Sequence, residues 1–356
     1  MRNESREFLM NYLSNPSPSG FEVLLGSQKI WSDYIKPFVN SVELDPYGSC
    51  IARLGNVDSE YKVVIEAHAD EIGYYVNYID EKGYIRVIRN GGSDISISPS
   101  MRVNIYGKKG KTVGVFGHPA IHVHKNNPEV NLSTAFVDVG ATTKQEVLDM
   151  GIEIGSPIVL ADGYFELNSD KWICGRALDN KIGGFIIAEV ARYIKENNIV
   201  LDYQLVIVNS VMEEVGLYGA TMNSGYIKPD VALVVDVCHD ISSPAYNEQK
   251  EGSTRSGDGG VLTIAPTVHN NVLNFWRDCL DENEIKYQLH ASYNQTGTDT
   301  DAYSIKNIPS CLISIPLSYM HTSVEKVSSS DVESVIKSYI AILSKIKENQ
   351  VFGYQL

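Results

Sequence analysis

The chain has 356 residues, 30 basic and 44 acidic, giving a formal net charge of −14 at pH 7. That length suggests about two domains with an ample core, and so acidic a surface disfavours nucleic acid as a partner. No run approaches the ~18 apolar residues of a membrane span. The mixed-charge start is not a secretory signal, and five scattered cysteines fit reduced thiols in a cytoplasm.

The first segment predicts helices over 3–14 and 22–36, split by Asn15-Pro16-Ser17-Pro18-Ser19-Gly20, which cannot continue a helix. Strands are expected at 39–45, 49–54 and 62–67. The last is almost wholly apolar, as in a strand covered on both faces. Between 72 and 166 the texture changes to short β-rich runs, such as 73–76, 84–88 and 102–106, broken by Gly, Asn, Pro and Lys. This predicts a small β-barrel or sandwich with one helix at 143–150.

Beyond residue 170, β and α alternate: helix 181–197, strand 203–211, helix 217–225, strand 231–237, helix 269–282, strand 285–290, helix 299–306, strand 310–315 and helix 330–347. The last carries Val332, Val335, Ile336, Tyr339, Ile340, Leu343 and Ile346 on one stripe. The fold expected is a mixed-sheet α/β/α domain built from 1–71 and 167–356, interrupted by the β-rich insertion 72–166. In such sheets ligands bind beyond the carboxyl ends of the strands.

The chemical candidates fall there. His68 and Asp70 leave an apolar strand pointing the same way, so Asp70 can serve the second ring nitrogen of His68. Asp179 stands just before a helix and, taken alone, reads as an N-cap. Glu213 and Glu214 are adjacent acids after a strand, an arrangement whose mutual repulsion a cation relieves. Asp236 interrupts an apolar strand, where an unpartnered polar group costs about 2–7 kcal/mol. His321 follows the strand at 310–315. Read alone, His239 is a loop histidine and Arg255 a solvated loop arginine. His118, His122 and His124 read as a surface or subunit contact, with His122 and His124 alternating on a strand-like run. Together, His68, Asp179, Glu214, Asp236 and His321 form a mixed N/O donor set suited to Zn, Co or Mn. Five ligands suit two ions sharing a carboxylate better than one zinc. No phosphate loop, HExxH or GxSxG motif is present.

In this order, His68-Ala69-Asp70-Glu71-Ile72-Gly73, Gly175-Arg176-Ala177-Leu178-Asp179-Asn180, Glu213-Glu214-Val215-Gly216-Leu217-Tyr218-Gly219-Ala220 and Tyr319-Met320-His321-Thr322 resemble the TET-type dinuclear-metal aminopeptidases. Pro16-Ser17-Pro18-Ser19-Gly20, Phe136-Val137-Asp138-Val139-Gly140 and Gly297-Thr298-Asp299 support the match, which runs from about residue 5 to 347. The family includes glutamyl, leucyl and lysyl aminopeptidases. The resemblance implies two divalent ions per subunit, bridged by Asp179, with Glu214 and His321 completing one site and His68 and Asp236 the other. It implies Glu213 as general base and then acid, Asp70 orienting His68, and peptides with a free N-terminus as substrates. It further implies that the insertion dimerises the chain, with dimers assembling into a hollow tetrahedral dodecamer.

This sequence departs from the family at Ala69, where Met is usual, at Ser323, where Pro is usual, and in the loop 251–260, which lacks the family's Gly-Lys-Gly-Pro run. Two other readings compete: an endoglucanase-type glycoside hydrolase and a non-catalytic metal-binding scaffold. An inverting glycosidase needs two carboxylates about 6.5–9.5 Å apart and no metal, whereas here histidines stand among the acids. A scaffold needs ligands but no spare acid such as Glu213.

Overall fold

A computed structural model describes residues 1–123 and 130–355. In chain order the elements are α1 (Asn3–Ser14), α2 (Ser27–Ile35), β1 (Ser41–Leu44), β2 (Cys50–Gly55), β3 (Lys62–His68), β4 (Gly73–Ile79), β5 (Ile85–Asn90), β6 (Arg102–Gly107), β7 (Gly110–Phe116), β8 (Val137–Asp138), α3 (Lys144–Asp149), β9 (Pro157–Leu160), β10 (Phe165–Leu167) and β11 (Trp172–Gly175). There follow α4 (Leu178–Glu196), β12 (Gln204–Ser210), α5 (Tyr218–Ile227), β13 (Val231–His239), α6 (Glu248–Glu251), β14 (Gly260–Ile264), α7 (Asn270–Glu282), β15 (Tyr287–Ala291), α8 (Asp299–Ile305), β16 (Ser310–Ser318), β17 (Glu325–Ser328) and α9 (Ser329–Lys345).

Among the described residues one 11-stranded mixed sheet runs β1-β2-β12-β3-β13-β16-β17-β11-β10, with β14 bonded to β15 and β16. Its centre, β12-β3-β13-β16, is parallel, with Ser210 opposite His68 and Asp236 opposite Ser314. The carboxyl ends of these four strands therefore share one edge. Side-chain alternation along β3 explains the layering. Val63, Ile65 and Ala67 pack on one face with Leu9, Trp31, Ile182 and Tyr339, from α1, α2, α4 and α9. Val64 packs on the other with Ala220 and Tyr303, from α5 and α8. Trp31 shows how tightly the first layer is joined: it is fully buried and its indole N–H donates to Gly184 O at 2.8 Å. Trp31→Ala should destabilise the chain by about 3–5 kcal/mol, read as a lower urea midpoint with an unchanged slope.

The second body is a closed barrel, β4-β5-β8-β7-β6-β9, with its own core around Tyr74, Val87, Ile105, Val137 and Ile158. It is a barrel rather than a sandwich because β9 pairs with both β4 and β6. β10 belongs to the large sheet through β11.

The helix expected over 22–36 starts only at Ser27. Gly26, at φ 93°, takes the left-handed conformation that glycine adopts without strain. The strand expected to end at 315 continues to Ser318 because Leu317 and Ser318 pair with β17. His122 lies on an exposed 3₁₀ turn, Ile121–Val123, not on a strand, and His124 lies outside the described residues. Among the described residues no helix is long and apolar enough to cross a membrane.

Candidate metal centre

The sheet gathers the candidates at its carboxyl edge. His68 ends β3, Asp236 lies within β13, Glu213 and Glu214 follow β12, and His321 follows β16. Asp179 arrives from the side, at the start of α4. Its expected N-cap role is not found. The position before the helix is Ala177, without a side-chain cap, and Asp179 and Asn180 are both non-helical. Asn180 does the capping instead, its Oδ1 accepting the Gly183 N–H at 3.1 Å. The Asp179 carboxylate is thereby free to face two imidazoles.

Asp179 Oδ1 lies 3.3 Å from His68 Nε2, and Oδ2 lies 3.3 Å from His321 Nε2. Asp236 Oδ1 is 3.9 Å from His68 Nε2, and Glu214 Oε2 is 3.6 Å from His321 Nε2. Two groups result whose donor atoms lie within 4.8 Å of one another: His68, Asp179 and Asp236; and Asp179, Glu214 and His321. Asp179 belongs to both. Glu213 belongs to neither, although its Oε2 comes within 3.8 Å of His68 Nε2.

The supports explain how such a cluster holds together. Asp70 is fully buried, with Oδ1 3.4 Å from His68 Nδ1. Its oxygens also accept the Glu213 N–H at 3.0 Å, the Glu214 N–H at 3.2 Å and the Ser19 hydroxyl at 2.6 Å. One carboxylate therefore orients an imidazole, shapes the Glu213-Glu214 turn and ties down the Pro-Ser-Pro-Ser-Gly loop. Glu71 secures the same loop from the next position, accepting the Ser17 N–H at 2.7 Å and pairing with buried Arg176.

The electrostatics favour a cation. Burial pushes the Glu213 and Glu214 carboxyls well up and that of Asp236 to about 8. Burial alone would also raise Asp179, but the His321 and His68 rings hold it below the usual carboxylate range. Burial would lower His68, yet Glu213, Asp179, Asp70 and Asp236 together hold it well above an ordinary imidazole. Protons thus stand where positive charge is wanted. Glu214 Oε1 is buried without a hydrogen-bond partner among the described residues, an expense that a bound cation removes. The mixed imidazole and carboxylate donors fit a divalent transition ion or zinc.

Beside the cluster lies a cavity of about 710 Å³, whose further wall includes His239, Lys250, Thr263 and His290. Arg255 does not line it and pairs instead with Glu248, as an exposed loop arginine. Of the two acids in Thr298-Asp299-Thr300-Asp301, Asp299 faces the site edge, accepting the Ser210 hydroxyl at 2.8 Å. Asp301 instead braces its own loop through Thr296 and Gly297.

Sequence reasoning missed Glu325. It is buried at the start of β17, with Oε2 accepting the Asp179 N–H at 3.1 Å and Oε1 the His321 N–H at 2.8 Å. The one sequence signal for it was a position four residues after His321.

The M42 glutamyl aminopeptidase family profile matches residues 48–337. A lysyl aminopeptidase of Pyrococcus furiosus is 30% identical over 347 residues, covering 96% of this chain and 97% of that one. The solved TET aminopeptidase of a marine-sediment Thaumarchaeota archaeon superposes with a TM-score of 0.91 at 26% identity, covering 97% of each chain. The solved PhTET1-12s, a dodecamer, superposes with a TM-score of 0.83 at 25% identity, covering 94% of this chain and 98% of that one. Matches of this extent, on a fold that delivers the matched residues to one sheet edge, show that the chain belongs to the M42 glutamyl aminopeptidase family and is a peptide-bond hydrolase.

Proposed function

We propose that the chain removes N-terminal residues from peptides at a centre of two divalent ions, Zn, Co or Mn. Asp179 is shared between them, His68 and Asp236 complete one site, and Glu214 and His321 complete the other. The observation that carries this reading is the pair of donor triplets meeting at Asp179 with Glu213 left over. When bound, such ions lower the pKa of water and polarise a carbonyl.

Glu213 is the proton carrier. Its carboxylate takes a proton from the water that attacks the scissile carbonyl carbon. The C–N bond then breaks, and Glu213 returns that proton to the departing amine nitrogen. The buried Asp70 keeps His68 in one orientation and fixes the turn that aims Glu213. The adjoining cavity receives the side chain of the first residue. Initial rates on a set of aminoacyl anilides, after stripping the protein and adding back each metal, test the reading. Inactivity of every metal-loaded form, or cellulose hydrolysis indifferent to chelator, would overturn it. Asp70→Asn should weaken metal affinity about 10–100-fold, measured by chelator competition.

Residues 1–71 and 167–356 would form the catalytic unit and 72–166 the dimerisation unit of a dimer-based shell, up to a dodecamer. Exposed Ile88, Val113, Ile121 and Val123 in that insertion support an interface. Light scattering should give a mass well above the monomer's 39.4 kDa. A monomer at every concentration, with metal present, would reject assembly. The reading includes a cytoplasmic setting, consistent with five unpaired cysteines.

A further inference from the structure

Glu325 touches the centre without belonging to either donor triplet. The residue is 2% exposed and has no cationic partner among the described residues. Both oxygens are engaged by main-chain donors: the Asp179 N–H at Oε2 and the His321 N–H at Oε1. Each Glu325 oxygen accepts from the backbone, and neither donor triplet includes it.

It joins two segments far apart in the chain, which also meet where Asp179 faces His321. One leaves β11 through Ala177, at φ 61°, and delivers Asp179. The other leaves β16 through Tyr319, at φ 63°, and His321, at φ 61°. Left-handed backbone at non-glycine residues is uphill and persists only where the surroundings hold it. Glu325 can reach both segments because β17 lies between their parent strands in the sheet, with Gly175 directly opposite Glu325. Across this bridge Asp179 Oδ2 lies 3.3 Å from His321 Nε2.

We infer that Glu325 is a positioning residue that sets the spacing of Asp179 and His321, and so controls the cation affinity of the Asp179–Glu214–His321 site in preference to the other. The inference rests on the two-ion reading above. A glutamine at 325 keeps one acceptor but presents an NH₂ group to the second main-chain donor, so one of the two anchors is lost. The His68–Asp179–Asp236 site keeps its own support through Asp70.

The test is calorimetric titration of the metal-stripped full chain with Co²⁺, wild type beside Glu325→Gln. The expected result is one Co²⁺ bound as in wild type and the other about 10–100-fold more weakly. The Co²⁺ concentration that half-activates hydrolysis should shift upward by the same factor, with full rate recovered at high Co²⁺. Glu325→Asp, which keeps the carboxyl group but withdraws it by one methylene, should move in the same direction. It also serves if the glutamine variant fails to fold. A merely structural role would lower thermal stability without changing the ratio of the two affinities. Unchanged affinities, or equal weakening of both, would overturn the inference. Wild type binding a single Co²⁺ would instead reject the two-ion reading, and the inference with it.

Discussion

Glu213→Gln should cut turnover by about 10²–10⁴-fold, the usual contribution of a positioned acid–base group, while metal content stays at the wild-type level. The reason is where Glu213 sits. It is outside both donor triplets, so losing its charge removes no ligand. Its placement comes from the main chain, through its N–H bonded to Asp70 Oδ1, and an amide side chain does not disturb that bond. Glutamine fills the same volume but cannot accept and return a proton. The matched control is Glu214→Gln, which alters a member of the Asp179–Glu214–His321 group and should lower metal content as well as rate. Both quantities are needed: kcat on an aminoacyl anilide, and metal per chain by elemental analysis. A Glu213→Gln protein with full metal and a near-wild-type kcat would remove Glu213 from the mechanism.

How far the sequence reveals this site depends on whether a residue's reason is local. Asp236 is legible because an acid in an otherwise apolar strand has no cheap explanation. His68 and Asp70 are legible because strand alternation points both the same way, and they meet at 3.4 Å. Asp179 is legible only as part of a set. Taken alone it reads as an N-cap, and its role is decided by two histidines from distant parts of the chain. Glu325 is hidden for the same reason: one of its donors lies 146 residues away in the chain. The main alternation of strands and helices follows from periodicity, but barrel closure does not. It turns on β9, four residues that pair with two separate strands, and on β8, only two residues long. β14, β17 and their pairings went unexpected because runs of four or five residues carry too little pattern to stand apart from loops.

Asp179→Asn should be the most damaging single-atom change in the site. Each Asp179 oxygen faces a different imidazole at 3.3 Å, so the carboxylate serves both donor groups at once. An asparagine offers one oxygen and one NH₂, and the NH₂ cannot bind a cation. Whichever way the amide turns, one group is left with two donors. The expected outcome is loss of at least one ion per chain and a fall in kcat/KM of ~10³-fold or more, since a bound ion supplies several kcal/mol to such reactions and each 1.36 kcal/mol is tenfold. Stability supplies a readout independent of rate. An ion held only by the folded chain stabilises it by about 2.7 kcal/mol at 100 times its Kd, so chelator should lower the wild-type Tm. In Asp179→Asn that chelator-induced drop should shrink, because less metal is there to remove. Glu325→Gln should behave differently, with a weakened ion that returns when metal is raised. Asp179→Asn protein that keeps its full metal complement, its chelator-sensitive Tm and its rate would show that the two groups do not share Asp179, and would leave the crowding of buried acids around His68 to another cause.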